Sequence, residues 1–149
     1  MPSKVYLLSG VPGSGKSTWV AKQTGIVISR DQIRYSLLKD GEDYFSHEDE
    51  VMRIFKERIN EAIKTNSTVY IDATHLNWRS RQKIIDCIPS NTPIGVISFT
   101  VPLQTCLTRN ARRTGRARVP ENVVRKMYNS FTTPASDPYE YFDIQYINE

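Results

Sequence analysis

The sequence predicts an α/β fold in which a parallel sheet of about five strands carries helices on both faces. Short apolar runs alternate with segments of helical periodicity along the chain, and this alternation is typical of parallel strands joined by helical crossovers. A glycine-rich turn lies between the first apolar run and the first helical segment. The chain of 149 residues has no internal repeat and no low-complexity linker, so we expect a single domain spanning residues 1–149.

The strands are short and rich in apolar or β-branched residues, as expected for strands buried on both faces. They are predicted over residues 4–9, 26–28, 67–72, 94–101 and 142–147. The first, KVYLLS, runs directly into Gly10, and the third, STVYID, ends at Asp72. Parallel strands end at one edge of a sheet, so the residues that follow them are expected to form any functional site.

The helices are recognised by apolar spacing and by residues that favour helix starts. They are predicted over residues 16–23, 31–38, 47–64, 77–87, 102–112 and 120–131, with a loop over 40–46. Asp31 is expected to cap the second helix, and Pro102 and Pro120 to open the last two, since proline suits a first helical turn. The helix over 77–87 is expected to present a basic face formed by Arg79, Arg81 and Lys83.

The segment GVPGSGKS, Gly10 to Ser17, matches the phosphate-binding loop pattern and lies between a predicted strand and a predicted helix. Its glycines let backbone N–H groups surround phosphate oxygens, Lys16 reaches the β- and γ-phosphates, and Ser17 offers a hydroxyl to Mg²⁺. The pattern predicts a P-loop NTPase or kinase fold that uses ATP and Mg²⁺. The predicted nucleotide-binding residues of this loop are Gly10, Pro12, Gly13, Ser14, Gly15, Lys16, Ser17 and Thr18.

Missing sequence motifs and the chain length exclude several classes of nucleotide-binding protein. The sequence has no Asn-Lys-x-Asp segment of the kind that reads guanine in GTPases, and motor ATPases are longer, so a small kinase is favoured. No apolar run approaches the roughly 20 residues that span a bilayer, so a cytoplasmic location without membrane contact is expected. The two cysteines, Cys87 and Cys106, are expected to be reduced thiols rather than zinc ligands.

Two carboxylates and an arginine are candidates for the acceptor side of a kinase. Asp31 follows the second strand and could take the proton from an attacking hydroxyl, and Arg34 lies three residues later on the same helical face. Arg34 could grip a phosphate beside that hydroxyl. Asp72 ends the third strand, where a carboxylate helps to hold Mg²⁺, and Thr74 points to the same mouth. Alternatively, Asp31 is a helix cap with a surface ion pair.

Five arginines within ten residues form a basic segment after the fourth strand. They are Arg109, Arg112, Arg113, Arg116 and Arg118. A flexible, arginine-rich lid over about residues 109–120 would place positive charge on a transferring phosphoryl group and exclude water. The alternative is a solvated basic loop, and a net charge of +4 gives weak support for a polyanionic partner.

Four segments together resemble the kinase domain of the bacteriophage polynucleotide 5′-hydroxyl kinase family. They are GVPGSGKSTW, SRDQIR, DATHLNWRSR and RNARRTGRARVPENVVRKMYNSF, and they extend over about residues 4–131. The last segment is the most specific to this group. The resemblance implies transfer of the γ-phosphate of ATP to the 5′-hydroxyl of DNA or RNA by an enzyme of the host cytoplasm. The phage enzyme also carries a phosphatase domain, for which this chain has no room, so we expect 3′-end processing to belong to another protein.

The resemblance assigns a role to individual residues. Lys16 and Arg113 would act on the transferring phosphate, and Asp31 would be the general base. Arg34 and Thr74 would bind the acceptor strand.

Arg109 and Arg112 would bind the nucleotide. The lid is one residue longer than in the phage pattern, which leaves open an exchange of roles between Arg112 and Arg113. Ser17 would hold Mg²⁺, and the position of Asp72 at the end of the third strand makes it the second expected ligand. The sequence departs from the phage pattern at Ala73 and His75, of which His75 is interpreted as a polar loop residue.

Two other functions remain open from the sequence. One is a kinase that acts on another hydroxyl, such as a hydroxymethylated base in DNA, a nucleoside or a sugar. The other is a nucleotide-binding module without catalysis. Tyr35, Tyr44 and Trp78 are candidates for stacking on nucleic-acid bases, with ordinary packing as the alternative.

Overall fold

The sheet of this protein has five parallel strands in the order β2-β3-β1-β4-β5, which confirms the predicted α/β fold. The structure is a computed structural model that describes residues 3–148. Its strands are β1 Lys4–Ser9, β2 Ile26–Ser29, β3 Thr68–Asp72, β4 Ile94–Phe99 and β5 Ile144–Ile147. Its α-helices are α1 Lys16–Val20, α2 Arg30–Leu37, α3 Glu48–Ile63, α4 Trp78–Ile85, α5 Leu103–Ala111 and α6 Glu121–Ser130.

The pairing register brings the ends of the central strands to one level. In β1, Leu8 lies opposite Asp72 of β3, and Asp72 in turn lies opposite Ser29 of β2. The chain leaves β1 into the glycine-rich loop, β2 into α2, and β3 into the segment before α4. Three loops that carry predicted site residues therefore begin at the same edge of the sheet.

The core lies on both faces of the sheet, because successive side chains of a strand point to opposite sides. Val5 and Leu7 of β1 belong to a buried cluster with Val51, Phe55 and Ile59 of α3. Leu8 of β1 belongs to a second cluster, on the other face, with residues of α1 such as Val20 and Trp19. The α3 pattern predicted from its apolar spacing is thus the face that packs on the sheet.

A third apolar cluster fixes the glycine-rich loop to the helices beyond β4. It contains Val11 of the loop, Cys106 and Leu107 of α5, and Val124 of α6. A side chain at Gly13 would place its Cβ 2.4 Å from the carbonyl oxygen of Cys106, so only glycine allows this approach. Both cysteines are free thiols, as expected.

Helix starts differ from the predictions where a neighbouring polar residue is the better cap. Asp31 does not cap α2, because Ser29 occupies that position and accepts a hydrogen bond from the Gln32 N–H at 3.3 Å. Asp31 instead lies in the first turn. Asn77 and Ser80 form a capping box, so α4 begins at Trp78.

The predicted basic face of α4 is wrong in one of its members. Arg81 is fully buried, and its guanidinium pairs with Asp137 through Nε–Oδ2 at 2.6 Å and Nη2–Oδ1 at 2.9 Å. Two residues along a helix rotate a side chain by roughly 200°, so Arg79 and Lys83 face solvent while Arg81 faces the core. Within residues 3–148, no helix is long and apolar enough to cross a bilayer.

Candidate active site

The glycine-rich loop between β1 and α1 has the backbone conformation that a phosphate cradle requires. Gly13 and Gly15 have φ angles of +85° and +96°, values that side chains disfavour. The ammonium of Lys16 lies across the loop, where it donates to the carbonyl oxygens of Gly10 at 2.8 Å and Val11 at 3.1 Å. This position holds the cation over the loop that the sequence predicts to bind phosphates.

The Lys16 amine is easier to deprotonate than an exposed lysine. Burial in the loop lowers its pKa to about 8, although the nearby Asp72 carboxylate opposes that effect. The positive charge of Arg113 lowers the pKa of Lys16 further, so two cations converge on the same space. Added negative charge at this place would be strongly favoured, because it would relieve both.

Ser17 and Asp72 bring two oxygen ligands together at the mouth of the loop. The Ser17 hydroxyl donates to Oδ2 of Asp72 over 3.4 Å, and burial raises the pKa of that carboxyl while Lys16 opposes the shift. Hard oxygen donors of this kind fit Mg²⁺, which keeps several waters and needs few protein ligands. In the described residues 3–148, no group of three or more acidic, His or Cys side chains could hold a metal alone.

Asp31 is held in a fixed orientation at the start of α2. Its Oδ1 atom accepts hydrogen bonds from Arg34 Nη1 at 2.6 Å and from the Tyr44 hydroxyl at 2.9 Å. Arg34 Nη1 also donates to the Tyr44 oxygen at 2.8 Å, which closes a triangle of the three groups. The side chain of Asp31 nonetheless remains 60% exposed to solvent.

Arg34 is anchored from behind by Glu48, the first residue of α3. The guanidinium donates through Nε to Oε2 at 2.7 Å and through Nη2 to Oε1 at 2.6 Å, a bidentate pair. Burial would lower the pKa of Arg34, but the hydrogen bonds and charge of Glu48 outweigh burial and raise it. The predicted role of Arg34 in binding the acceptor stays a prediction. Its hydrogen bond to Asp31 Oδ1 shows in addition that it orients that carboxylate.

The arginine-rich segment begins in the last turn of α5 and is closed at its base by Asn110. This buried side chain donates to the Val119 carbonyl at 2.6 Å and accepts from the Val119 N–H at 3.0 Å. Arg109 Nη1 reaches the Gly13 carbonyl at 3.4 Å, so it lies on the phosphate loop. Arg113 Nη1 donates to the Ala117 carbonyl at 3.5 Å, and its charge slightly opposes the raised pKa of Asp72, whereas Arg112 is exposed at the helix end.

Arg116 joins the arginine-rich segment to the loop between α2 and α3. Its Nη2 donates to the carbonyl oxygens of Lys39 at 3.2 Å and Glu42 at 3.4 Å, both in the loop between α2 and α3. That loop also carries Tyr44, the partner of Asp31. The arginine-rich segment therefore contacts both the phosphate loop, through Arg109, and the loop that carries Tyr44, through Arg116.

Thr74 and His75 fasten the end of β3 to the start of the phosphate loop. The Thr74 carbonyl accepts from the Gly10 N–H at 2.9 Å, and its predicted role toward the acceptor stays a prediction. His75 is buried, and its Nδ1 lies 2.7 Å from the Leu8 carbonyl, which requires the proton on Nδ1. Burial lowers the pKa of His75 to about 4, so it is neutral in the loop between β3 and α4, where its hydrogen bond to Leu8 is structural.

Sequence reasoning missed Glu48, the hydrogen bond from Tyr44 to Asp31, and the contacts of Arg116 with the loop between α2 and α3. Each acts through a contact between residues far apart in sequence, such as the 14 residues between Arg34 and Glu48 or the 77 between Lys39 and Arg116. The sequence held a weak signal for Glu48, because it is an acid in the first turn of a strongly predicted helix. An acid at that place can pair with a basic residue at the end of the preceding helix. No sequence signal identified the partner of Arg116, since backbone carbonyls have no sequence pattern.

One curated protein shares sequence with most of this chain. A protein of Autographa californica nuclear polyhedrosis virus, named as a bifunctional polynucleotide kinase/RNA ligase, is 27% identical over 146 residues. The match covers 86% of this chain and 21% of that protein. The chain therefore spans about a fifth of the length of the curated relative that it matches.

Solved structures share the fold at low sequence identity. The structure of the Pnkp1/Rnl/Hen1 RNA repair complex matches with a TM-score of 0.74 and 23% identity, over 87% of this chain and 44% of that chain. Kti12 of Chaetomium thermophilum in complex with ADP-AlF3 matches with a TM-score of 0.64 and 15% identity, over 97% and 88% of the two chains. The predicted P-loop kinase fold and the predicted resemblance to polynucleotide kinases are both confirmed.

A family model described as an AAA domain matches residues 5–134, which include the phosphate loop, Asp31, Asp72 and the arginine-rich segment. The chain belongs to this AAA domain family.

Proposed function

We propose that this chain is an ATP-dependent kinase that phosphorylates the 5′-hydroxyl end of a nucleic acid. The observation that carries the proposal is the orientation of Asp31 by Arg34 and Tyr44, at the sheet edge where the phosphate loop also begins. A nucleotide-binding module without catalysis needs a phosphate loop but no oriented carboxylate opposite it. The viral relative named as a polynucleotide kinase/RNA ligase supports the nucleic-acid acceptor.

In the proposed reaction, Asp31 is the general base. Its Oδ1 is engaged by Arg34 and Tyr44, so Oδ2 accepts the proton of the 5′-hydroxyl. The hydroxyl oxygen attacks the γ-phosphorus, and the bond from that phosphorus to the bridging oxygen breaks, with its electron pair leaving on ADP. Lys16 and Arg113 stabilise the charge on the transferring group from the nucleotide side.

Ser17 and Asp72 would hold Mg²⁺ in this reaction, since they supply the oxygens that lie together at the mouth of the loop. When bound, the ion neutralises negative charge shared by the β- and γ-phosphates. Arg109, on the carbonyl of Gly13, and Arg112, at the end of α5, would bind the nucleotide as the lid closes. Thr74 would contact the acceptor strand.

The proposal is tested by a transfer assay with γ-labelled ATP and a panel of acceptors. We expect label on 5′-hydroxyl DNA or RNA oligonucleotides, and none on oligonucleotides that already carry a 5′-phosphate. Free nucleosides, sugars and hydroxymethyluracil DNA with blocked 5′ ends test a kinase with another hydroxyl acceptor. If label reaches one of these alternative acceptors and no 5′-hydroxyl end, the proposed class of acceptor is wrong. If label reaches no acceptor in the whole panel, the protein is a nucleotide-binding module and not a kinase.

The lowered pKa of Lys16 predicts a pH dependence of nucleotide binding. The charged amine binds phosphates, and its pKa of about 8 means that the free protein loses this charge as the pH rises through that value. We expect the dissociation constant for ATP to be constant below pH 8 and to rise about tenfold per pH unit above it. A fluorescent ATP analogue titrated between about pH 7 and pH 9.5 measures this, since an ordinary lysine titrates only near 10.4.

Lys16→Arg is the matched control for this titration, because a guanidinium keeps its charge throughout the range. The variant is expected to show a flat profile, whatever its affinity. A flat profile in the wild type, or the same rise in the arginine variant, would show that Lys16 is not the titrating group.

A further inference from the structure

Three aromatic side chains form a contiguous group beside Asp31. The rings of Tyr35 and Tyr44 meet edge to face with centroids 6.4 Å apart, and Tyr44 and Phe45 do so at 4.7 Å. We call Tyr35, Tyr44 and Phe45 the aromatic group. Phe45 is 68% exposed, the most exposed large hydrophobic side chain in residues 3–148. None of the three belongs to an apolar core cluster, so packing of the core does not explain them.

Tyr44 fixes the position of this group relative to the carboxylate. Its hydroxyl donates to Asp31 Oδ1 at 2.9 Å, and the guanidinium of Arg34 lies 4.6 Å from the centre of its ring. Burial raises the pKa of Tyr44, with the charge of Asp31 adding to the effect, so the hydroxyl stays protonated as a donor. Phe45 packs against the ring of Tyr44, and the Tyr44 hydroxyl bonds to Asp31, the proposed general base. Tyr44 therefore connects Phe45 to that carboxylate.

The loop that carries the aromatic group is braced along its length. Glu42 accepts from the Lys39 N–H at 2.7 Å and pairs with His47 Nε2 at 2.9 Å, and Ser46 donates to the Asp43 carbonyl at 2.7 Å. These contacts keep Phe45 presented to solvent although it is apolar. An exposed phenyl ring held in place beside a catalytic carboxylate is a binding surface for a flat apolar group.

The chemistry of the acceptor identifies that group. In a nucleic acid, the 5′-hydroxyl belongs to the same nucleotide as the terminal base, so a hydroxyl at Asp31 brings the base to within a side chain's length of it. A base offers a flat π face that stacks on aromatic rings without regard to sequence. A sugar acceptor has no such face, and a protein partner would have no reason to be centred on Asp31.

We propose that Phe45, supported by Tyr44, stacks on the terminal base of the acceptor strand and thereby sets the affinity of this protein for 5′-hydroxyl ends. The proposal rests on the proposed kinase function and adds the site that holds the base. It assigns the aromatic group to single-stranded or frayed ends, because a base that stacks on Phe45 must leave its own duplex partner.

The test compares Phe45→Ala, Phe45→Leu and Phe45→Trp with the wild type. With 5′-hydroxyl oligonucleotides, the alanine variant is expected to raise the acceptor KM about 5- to 50-fold, in the range of stacking on one side chain, with kcat and the KM for ATP nearly unchanged. The tryptophan variant is expected to keep a low KM. The leucine variant, apolar but not aromatic, is expected to behave as the alanine variant does.

Two comparisons make the result specific. An acceptor whose terminal nucleotide is abasic should bind the wild type as weakly as a normal acceptor binds Phe45→Ala, and the abasic change should cost the alanine variant almost nothing. Phe142→Ala, which removes an exposed phenyl ring that contacts Tyr6 at the far side of the sheet, is the matched control and should leave the acceptor KM unchanged.

A binding experiment separates this proposal from the proposed function. The fluorescence of 2-aminopurine at the 5′ end should be quenched by the wild type and by Phe45→Trp, and much less by Phe45→Ala. Quenching that persists in the alanine variant, or an abasic penalty that is equal in both proteins, would overturn the stacking site while transfer to 5′ ends still supports the kinase. Transfer to no 5′ end, together with no quenching, would overturn both.

Discussion

Asp31→Asn is expected to lower kcat for transfer to a 5′-hydroxyl by about 10²- to 10⁴-fold, the range for loss of a general base. Asparagine has the same shape and keeps an oxygen for Arg34 and Tyr44, so the local structure should persist. Its amide nitrogen replaces Oδ2 and cannot take the proton of the attacking hydroxyl. Steady-state kinetics with saturating ATP and acceptor measure the effect, and titration with an ATP analogue should show unchanged nucleotide affinity.

Asp40→Asn is the matched control for this variant, because Asp40 is an exposed carboxylate in the loop that follows α2. Its removal makes the same change of net charge and should leave kcat within about twofold, as expected for surface substitutions. If the Asp31→Asn protein binds ATP and transfers phosphate at the wild-type rate, another group takes the proton. That result would also contradict the role of Arg34 and Tyr44 in orienting a general base.

Arg81→Met is expected to lower the free energy of unfolding by about 3–5 kcal/mol, because it removes one partner of a buried ion pair. The guanidinium contacts both oxygens of Asp137, whose side chain is 1% exposed, and it also donates to the carbonyl oxygens of His75 at 2.9 Å and Thr132 at 3.1 Å. Methionine fills the space but removes all of these donors, so Asp137 keeps only the Tyr141 hydroxyl at 2.6 Å and the His75 carbonyl keeps only the Ser9 hydroxyl at 2.6 Å. Urea denaturation followed by circular dichroism measures the loss.

Two further variants show that the pair, rather than the helix, is responsible. Arg79→Met changes an exposed arginine of the same helix and is expected to cost less than about 0.5 kcal/mol. Arg81→Met combined with Asp137→Leu removes both charges and should recover part of the loss, since no uncompensated carboxylate remains buried. Equal losses for the variants at positions 79 and 81 would contradict the structural role given to the ion pair.

The parts of the molecule that the sequence predicted are those specified locally. The turn Gly10 to Ser17 is defined by its glycines, and Asp72 by the β-branched strand before it, so both could be located without the fold. The parallel sheet followed from alternation of strand and helix patterns. Asp31 and Arg34 were predicted on one helical face, and they are in contact.

The remaining features depend on which distant segments meet. The burial of Arg81 depends on Asp137, which lies 56 residues away and beyond α6, and nothing in the α4 sequence distinguishes Arg81 from its exposed neighbour Arg79. The anchoring of Arg34 by Glu48 likewise depends on the packing of α2 on α3. The start of α2 was misplaced because Ser29 and Asp31 are both good caps, and only the backbone decides between them.

The contact of Arg116 with the carbonyl oxygens of Lys39 and Glu42 has a thermodynamic consequence for the proposed kinase. In that kinase, Arg116 would connect the proposed lid to the loop that presents Tyr44, so ordering either element would favour the ordering of the other. The two substrates are then linked: the factor by which ATP tightens the acceptor equals the factor by which the acceptor tightens ATP. The stability of the ternary complex is therefore the same whichever substrate binds first.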